Sequence, residues 1–156
     1  LEMRIQWRWS RWSSTTVAAK MFVVSNGQTH ANRNRLIAGQ IGWDETETIV
    51  SDDFAEQFHQ ALENVIAVLE AGGGKPEHIV RLTGYVTSRE EYLAAGKLIG
   101  ESWKLLMGRT YPVMSFVIVA GLIEEQAKVE LATTNVMVDG LVWPLHALPW
   151  TLYSFC

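Results

Sequence analysis

The sequence predicts an α+β domain: a single mixed β-sheet with two α-helices packed on one face, in the order β-β-α-β-α-β-β. Three observations predict it. Residues 54–69 carry one apolar stripe at a 3.6-residue period. A second helical pattern lies between β-branched runs near 79–86 and 113–119. Strand patterns fall together at both ends, before the first helix and after the second. At 156 residues the chain has the length of one domain, and 48% apolar against 19% charged residues excludes a disordered or fibrous polymer.

Each element has its own signal. Met21-Phe22-Val23-Val24 is apolar and ends in the turn signal Ser25-Asn26-Gly27. Asn32-Arg33-Asn34 reads as a second turn, and Arg35-Leu36-Ile37-Ala38-Gly39 as a short strand leading into Gln40-Ile41-Gly42-Trp43. The polar run Asp44 to Thr48 reads as a loop. Ser51, Asp52 and Asp53 offer N-caps to the first helix, whose stripe is Phe54, Phe58, Ala61, Leu62, Val65, Ile66 and Leu69. Gly72-Gly73-Gly74 ends it and Pro76 forbids a restart.

Ile79 to Val86 is β-branched and aromatic, as a strand requires. Ser88 followed by Glu91 forms a capping-box pattern for a second helix from about Arg89 to Met107, with Tyr92, Ala95, Ile99, Trp103 and Leu106 on its buried face. Val113 to Val119 has no alternation, so both its faces are expected to be covered. Gly121 to Gln126 reads as a turn, and Lys128-Val129-Glu130-Leu131 opens a last strand reaching about Val138.

Charge and the termini bound the partners. Residues 1–20 hold four basic residues against one acidic, whereas residues 21–139 hold 9 basic against 16 acidic. An acidic body repels phosphate backbones, so a nucleic-acid partner is not expected. The longest apolar stretch, Pro112 to Ile123, falls short of the ~20 residues a membrane helix needs, so no membrane partner is expected either. The single cysteine, Cys156, excludes a disulfide within one chain and fits a reducing, cytoplasmic compartment.

Residues 1–20 form an atypical extension around Trp7, Trp9 and Trp12, with three readings open. They are a loosely packed arm, a start-site artefact with Met21 as the natural first residue, or an organelle transit peptide. Residues 21–139 make the domain. Residues 140–156 form an apolar tail that is expected to pack on its own sheet or on a neighbour.

The residues that carry a resemblance lie between Val24 and Val138. They are Ala38-Gly39-Gln40-Ile41, Gln60-Ala61-Leu62-Glu63-Asn64-Val65, Glu77-His78-Ile79-Val80-Arg81-Leu82-Thr83 with Val86-Thr87, Tyr111-Pro112-Val113-Met114-Ser115, and Lys128-Val129-Glu130-Leu131. In this order and spacing they resemble the RidA/YjgF family, also called the L-PSP endoribonuclease-like or reactive-intermediate deaminase family. The resemblance implies a chorismate-mutase-like subunit, a homotrimer, and ligand clefts between neighbouring subunits. It further implies hydrolysis of 2-imino or 2-enamino acids to 2-oxo acids and ammonia, with no metal and no organic cofactor. Some members are described as endoribonucleases or translation inhibitors.

That chemistry needs a cation to hold the substrate carboxylate and a polar group to orient the attacking water. Against the family's Pro-x-Arg-Ser motif this chain reads Pro112-Val113-Met114-Ser115, so Met114 stands at the arginine position. Against Val-Glu-Ile-Glu it reads Val129-Glu130-Leu131-Ala132, and the second glutamate, taken as the water-orienting one, becomes Ala132. The family's tyrosine aligns with Val24 and its asparagine, approximately, with Gly96. A site that exchanges a cation for a thioether suits a less charged ligand.

The candidate ligand-binding residues are Gly39, Gln40, Trp43, Tyr111, Met114 and Ser115, with no catalytic residue assigned. Arg109, Arg33, Arg35 and Arg81 are the candidates for a compensating cation. His30, His59, His78 and His146 lack metal-ligand spacing and read as surface or partly buried histidines. Gly72-Gly73-Gly74-Lys75 reads as a helix C-cap rather than a phosphate cradle, and Ser115 has no triad partners nearby in sequence. The expected function is a small-metabolite-binding protein with ordinary deaminase activity weak or lost. The alternative is an active deaminase with a relocated anchor, followed by an RNA-binding protein or ribonuclease.

Overall fold

The computed structural model describes residues 23–25 and 32–138. The arm at 1–20, the turn at 26–27, His30, His146 and the tail at 140–156 lie outside the described residues. Five strands, β1 (Val23–Ser25), β2 (Asn32–Ile41), β3 (Ile79–Val86), β4 (Val113–Ile118) and β5 (Val129–Val138), form one sheet in the order β1-β2-β5-β3-β4. Only β3 and β4 pair in parallel; the other neighbours are antiparallel. The sheet is therefore mixed, and the α+β class expected from the sequence holds.

Helix α1 (Phe54–Ala71) is capped by Asp53, whose side chain accepts the Glu56 backbone N–H at 3.0 Å. All seven residues of the expected stripe are buried, from Phe54 to Leu69. They pack with Leu82, Val86, Val129 and Leu131 of the sheet into one core. Gly72 closes the helix and Gly73 turns the chain at φ +77, a conformation that favours glycine.

The second helix differs from its expected single span. It breaks at Ala95 into α2 (Arg89–Ala94) and α3 (Gly96–Leu106), because Ala95 has ψ near −2 rather than a helical value. Its inner face is the expected one: Ala95 and Trp103 are buried, and Tyr92, Ile99 and Leu106 pack against the core. The capping box is only half made. Ser88 accepts the Glu91 N–H at 3.2 Å, but the Glu91 carboxylate pairs with Lys128 Nζ at 2.6 Å instead of turning back.

Two strand expectations are corrected. Asn32-Arg33-Asn34 is not a turn but the start of β2, because β5 extends far enough to pair Asn32 with Val138. Nor is β4 covered on both faces. Among the described residues it is an edge strand with β3 alone beside it, and Val113 is 72% exposed. Its apolar run, interrupted by Ser115, leaves Val113, Val117 and Ile118 exposed among the described residues.

Alternation on the central strands sorts the two faces. Leu82, Gly84 and Val86 of β3 and Val129, Leu131 and Thr133 of β5 lie under the helices. The other, open face carries Arg81, Thr83 and Tyr85, then Glu130, Ala132 and Thr134, and on β4 Val113, Ser115 and Val117. The open face is thus apolar along β4 and mostly polar along β3 and β5.

Candidate functional site

The site region begins at a bulge in β2. Ile37 pairs with Thr133 and Gln40 with Leu131, so Ala38 and Gly39 together face the single residue Ala132. Gln40 Nε2 donates to the Ala38 and Gly39 carbonyls at 3.1 and 3.2 Å and ties the bulge together. A bulge re-aims its side chains, and here it turns residue 39 towards Glu130. The Glu130 carboxylate occupies the space that a Cβ at position 39 would need, so only glycine admits it there.

The chain beyond the bulge is held from α1. Asn64 Nδ2 donates to the carbonyls of Ile41 and Trp43, each at 3.0 Å. Gly42 approaches the helix so closely that a Cβ would lie 2.7 Å from the Gln57 Cα. Buried Gln57 itself joins three segments: its Nε2 donates to Ser51 O at 2.7 Å and Gln126 O at 3.0 Å, and its Oε1 accepts from Lys128 N at 2.8 Å. The start of β5, with Glu130 two residues on, is thereby positioned against the end of β2.

The six expected ligand-binding residues do not form one cluster in a single chain. Gly39 lies at the bulge beside Glu130, and Trp43 is half-buried just beyond. Gln40 is 2% exposed and pairs with Leu131 on the helix side, so it braces the bulge and is closed to a ligand in the single chain. Ser115 lies on the open face beside Thr83, whose other neighbour is Ala132. Three strand spacings, or about 14 Å, separate it from the bulge.

Met114 pairs with Leu82 and therefore faces the helix side, at the sheet margin, where it is 40% exposed. Phe116, two residues on, covers Gly84 and packs on Tyr92 and Phe58, with centroids 5.0 and 6.3 Å away. Tyr111 is mostly exposed and stacks parallel to Trp103 at 6.4 Å; Trp103 Nε1 is fixed by the Thr110 carbonyl at 3.0 Å. Met114 and Ala132 consequently point to opposite faces.

Sequence reasoning passed over Glu130. Its signal was a charged residue between the apolar Val129 and Leu131, in a strand whose alternate positions are buried. Among the described residues Glu130 has no ion-pair partner. Of the candidate cations, Arg81 is exposed on the open face and Arg109 is exposed two residues before Tyr111. The side chains of Arg33 and Arg35 fall outside what is described.

The two described histidines, His59 and His78, bond to neighbouring protein groups. His59 Nδ1 lies 3.0 Å from Ser102 Oγ and its Nε2 3.3 Å from Glu63, while His78 Nδ1 accepts from Lys75 N at 3.0 Å. Among the described residues no group of three metal-ligating side chains occurs, and no helix is long and apolar enough to cross a membrane.

Similarity to known proteins agrees with this geometry. The chain is 34% identical to a RutC family protein of Aquifex aeolicus over 68 residues, which is 44% of this chain and 54% of that one. It spans about half the length of the curated relatives it matches. The crystal structure of Escherichia coli TdcF with bound serine superposes with a TM-score of 0.60 at 28% identity, covering 74% of this chain and 85% of that one. RidA from a Psychrobacter species gives a TM-score of 0.60 at 26% identity, with the same two coverages of 74% and 85%. The family model described as Endoribonuclease L-PSP matches residues 17–137, and with the sheet order and the bulge already in place the chain belongs to this family, the RidA/YjgF family.

Proposed function

We propose that this protein binds a small metabolite in clefts between the subunits of a homotrimer, with ordinary 2-imino acid hydrolysis weak or lost. The observation that carries the reading is Met114. It stands where the family motif has arginine, it is exposed at the margin of β4, and it has no charge to hold a carboxylate. The division of the candidate residues between two faces supports a cleft made by two subunits, one lending Met114 and its aromatic neighbours, the other Gly39 and Glu130. The exposed β4 edge, with Val113 and Val117, supports burial by another copy. Serine bound to TdcF is consistent with a small ligand, though it is a property of that protein.

A second reading is favoured by Glu130. A carboxylate beside Gly39 can orient and deprotonate a water, so an active imine or enamine deaminase with an altered anchor follows if a cation such as Arg109 reaches the substrate. One assay separates the two. Purified protein is offered 2-imino acids generated by an amino-acid oxidase, and ammonia release is followed against the spontaneous rate. Release at the spontaneous rate, with a gain in Met114→Arg, supports the first reading; fast release by the natural chain overturns it.

A further inference from the structure

The two half-sites have unlike chemistry. One presents a carboxylate, Glu130, without an ion-pair partner among the described residues. Among the described residues, Lys128, two before Glu130, is engaged with Glu91 at 2.6 Å, and Arg81 is four residues along β3 from Tyr85, the register partner of Glu130, or roughly 13 Å away along the strand. The other half presents the Met114 thioether and, three residues earlier, the Tyr111 ring stacked on Trp103.

A ligand carboxylate meets like charge from the first half and no guanidinium at position 114 of the second. A protonated imine meets the reverse: a charge-assisted N–H···O bond to Glu130, with its organic group against thioether and aromatic surface. We infer that the preferred ligand is an apolar, aryl-bearing imine without a carboxylate, bound as its iminium ion, rather than a 2-imino acid. The inference rests on the inter-subunit cleft of the proposed function and names the ligand class of that cleft.

The matching hydrolysis balances with water alone. The water oxygen bonds to the C=N carbon, the π pair moves to nitrogen, and Glu130 takes a proton from the water. Glu130 returns that proton to nitrogen, and the C–N bond breaks with its electron pair on nitrogen. The hydroxyl proton then passes to the departing ammonia, leaving an aldehyde and ammonium.

The test uses the purified full chain and two ligands with one phenyl group and opposite charges, phenethylammonium and phenylpyruvate, titrated by calorimetry. Phenethylammonium is expected to bind at least about tenfold tighter. Glu130→Gln should remove that preference, and Met114→Arg should reverse it. In parallel, the imine of phenethylamine, generated by a flavin amine oxidase, should release ammonia faster than the imine of phenylalanine. Tighter binding of phenylpyruvate overturns the inference while leaving the metabolite cleft standing, and its loss in Arg109→Gln would locate the anchor. Binding of neither ligand overturns the inference, whereas the cleft itself stands or falls with the oligomeric state. The comparison on the natural chain decides the matter even if a variant fails to fold.

Discussion

Gly39 and Glu130 form a matched pair: the carboxylate of one fills the volume that a side chain on the other would take. The pair exists because the bulge sets two residues of β2 against Ala132 alone. Gly39→Ala must therefore swing the Glu130 carboxylate aside. The carboxylate is the far end of a flexible chain, so a stability loss of only about 1 kcal/mol is expected. Binding of phenethylammonium should fall by more, roughly tenfold, because the displaced group is the proposed ligand contact. Thermal unfolding and calorimetry on the same variant compare the two effects, and equal losses would argue that Glu130 serves packing alone.

Gln57 predicts a larger effect from a smaller change in shape. Leucine in its place keeps the volume but strands Ser51 O, Gln126 O and Lys128 N, all partners of one buried amide. Each buried group left unpaired costs roughly 1–3 kcal/mol, so Gln57→Leu should destabilise by about 3 kcal/mol or more in urea unfolding. A neutral outcome would mean that water replaces the amide.

The loop after β2 carries an acid limb. Asp44 has its pKa lowered from 3.8, chiefly by the Thr46 hydroxyl and then by the backbone N–H groups of Thr48 and Thr46. A carboxyl depressed on folding contributes stability above its unfolded pKa and loses that contribution as pH falls through its folded pKa. Amide resonances of Thr46 and Thr48 should therefore shift together below pH 3.8, and Asp44→Asn should abolish the shared titration.

Oligomeric state tests the exposed β4 edge. Light scattering should report three chains per particle, and Val117→Lys, which charges the open face of β4, should favour the single chain. A clean monomer of the natural chain would remove the cleft on which the proposed function depends.

The elements most legible in the sequence were those stabilised by local periodicity. The α1 stripe from Phe54 to Leu69 could be read residue by residue, since every position in it buries against the sheet. The inner face of the second helix was equally clear, whereas the break at Ala95 had Gly96 beside it as a signal that the apolar periodicity overrode. Asn32-Arg33-Asn34 has turn composition and forms strand because a distant partner, β5, supplies the hydrogen bonds. For β4 the apolar run forms surface that stays exposed among the described residues, a fact that strand periodicity does not encode. Gly39 stands out in the sequence through its motif, whereas its neighbour Glu130 was passed over because attention went to the family's second glutamate, which here is Ala132. The bracing of the bulge by Gln40 was not legible, because its partners, the Ala38 and Gly39 carbonyls, are fixed by the bulge and not by side-chain pattern.

The strand order has a consequence for how the molecule is made. β5, the last of the described strands, lies between β2 and β3, so among the described residues the β1–β2 and β3–β4 pairs are joined in the sheet only through it. On the ribosome α1, α2 and α3 emerge before the strand that completes their platform. A nascent chain stopped near Ala127 should remain protease-sensitive, and resistance should appear abruptly once Val138 has cleared the exit tunnel. Closing the sheet with β5 makes its arrival an all-or-none checkpoint on integrity, before which a copy truncated near Ala127 exposes unpaired edges on β2 and β3.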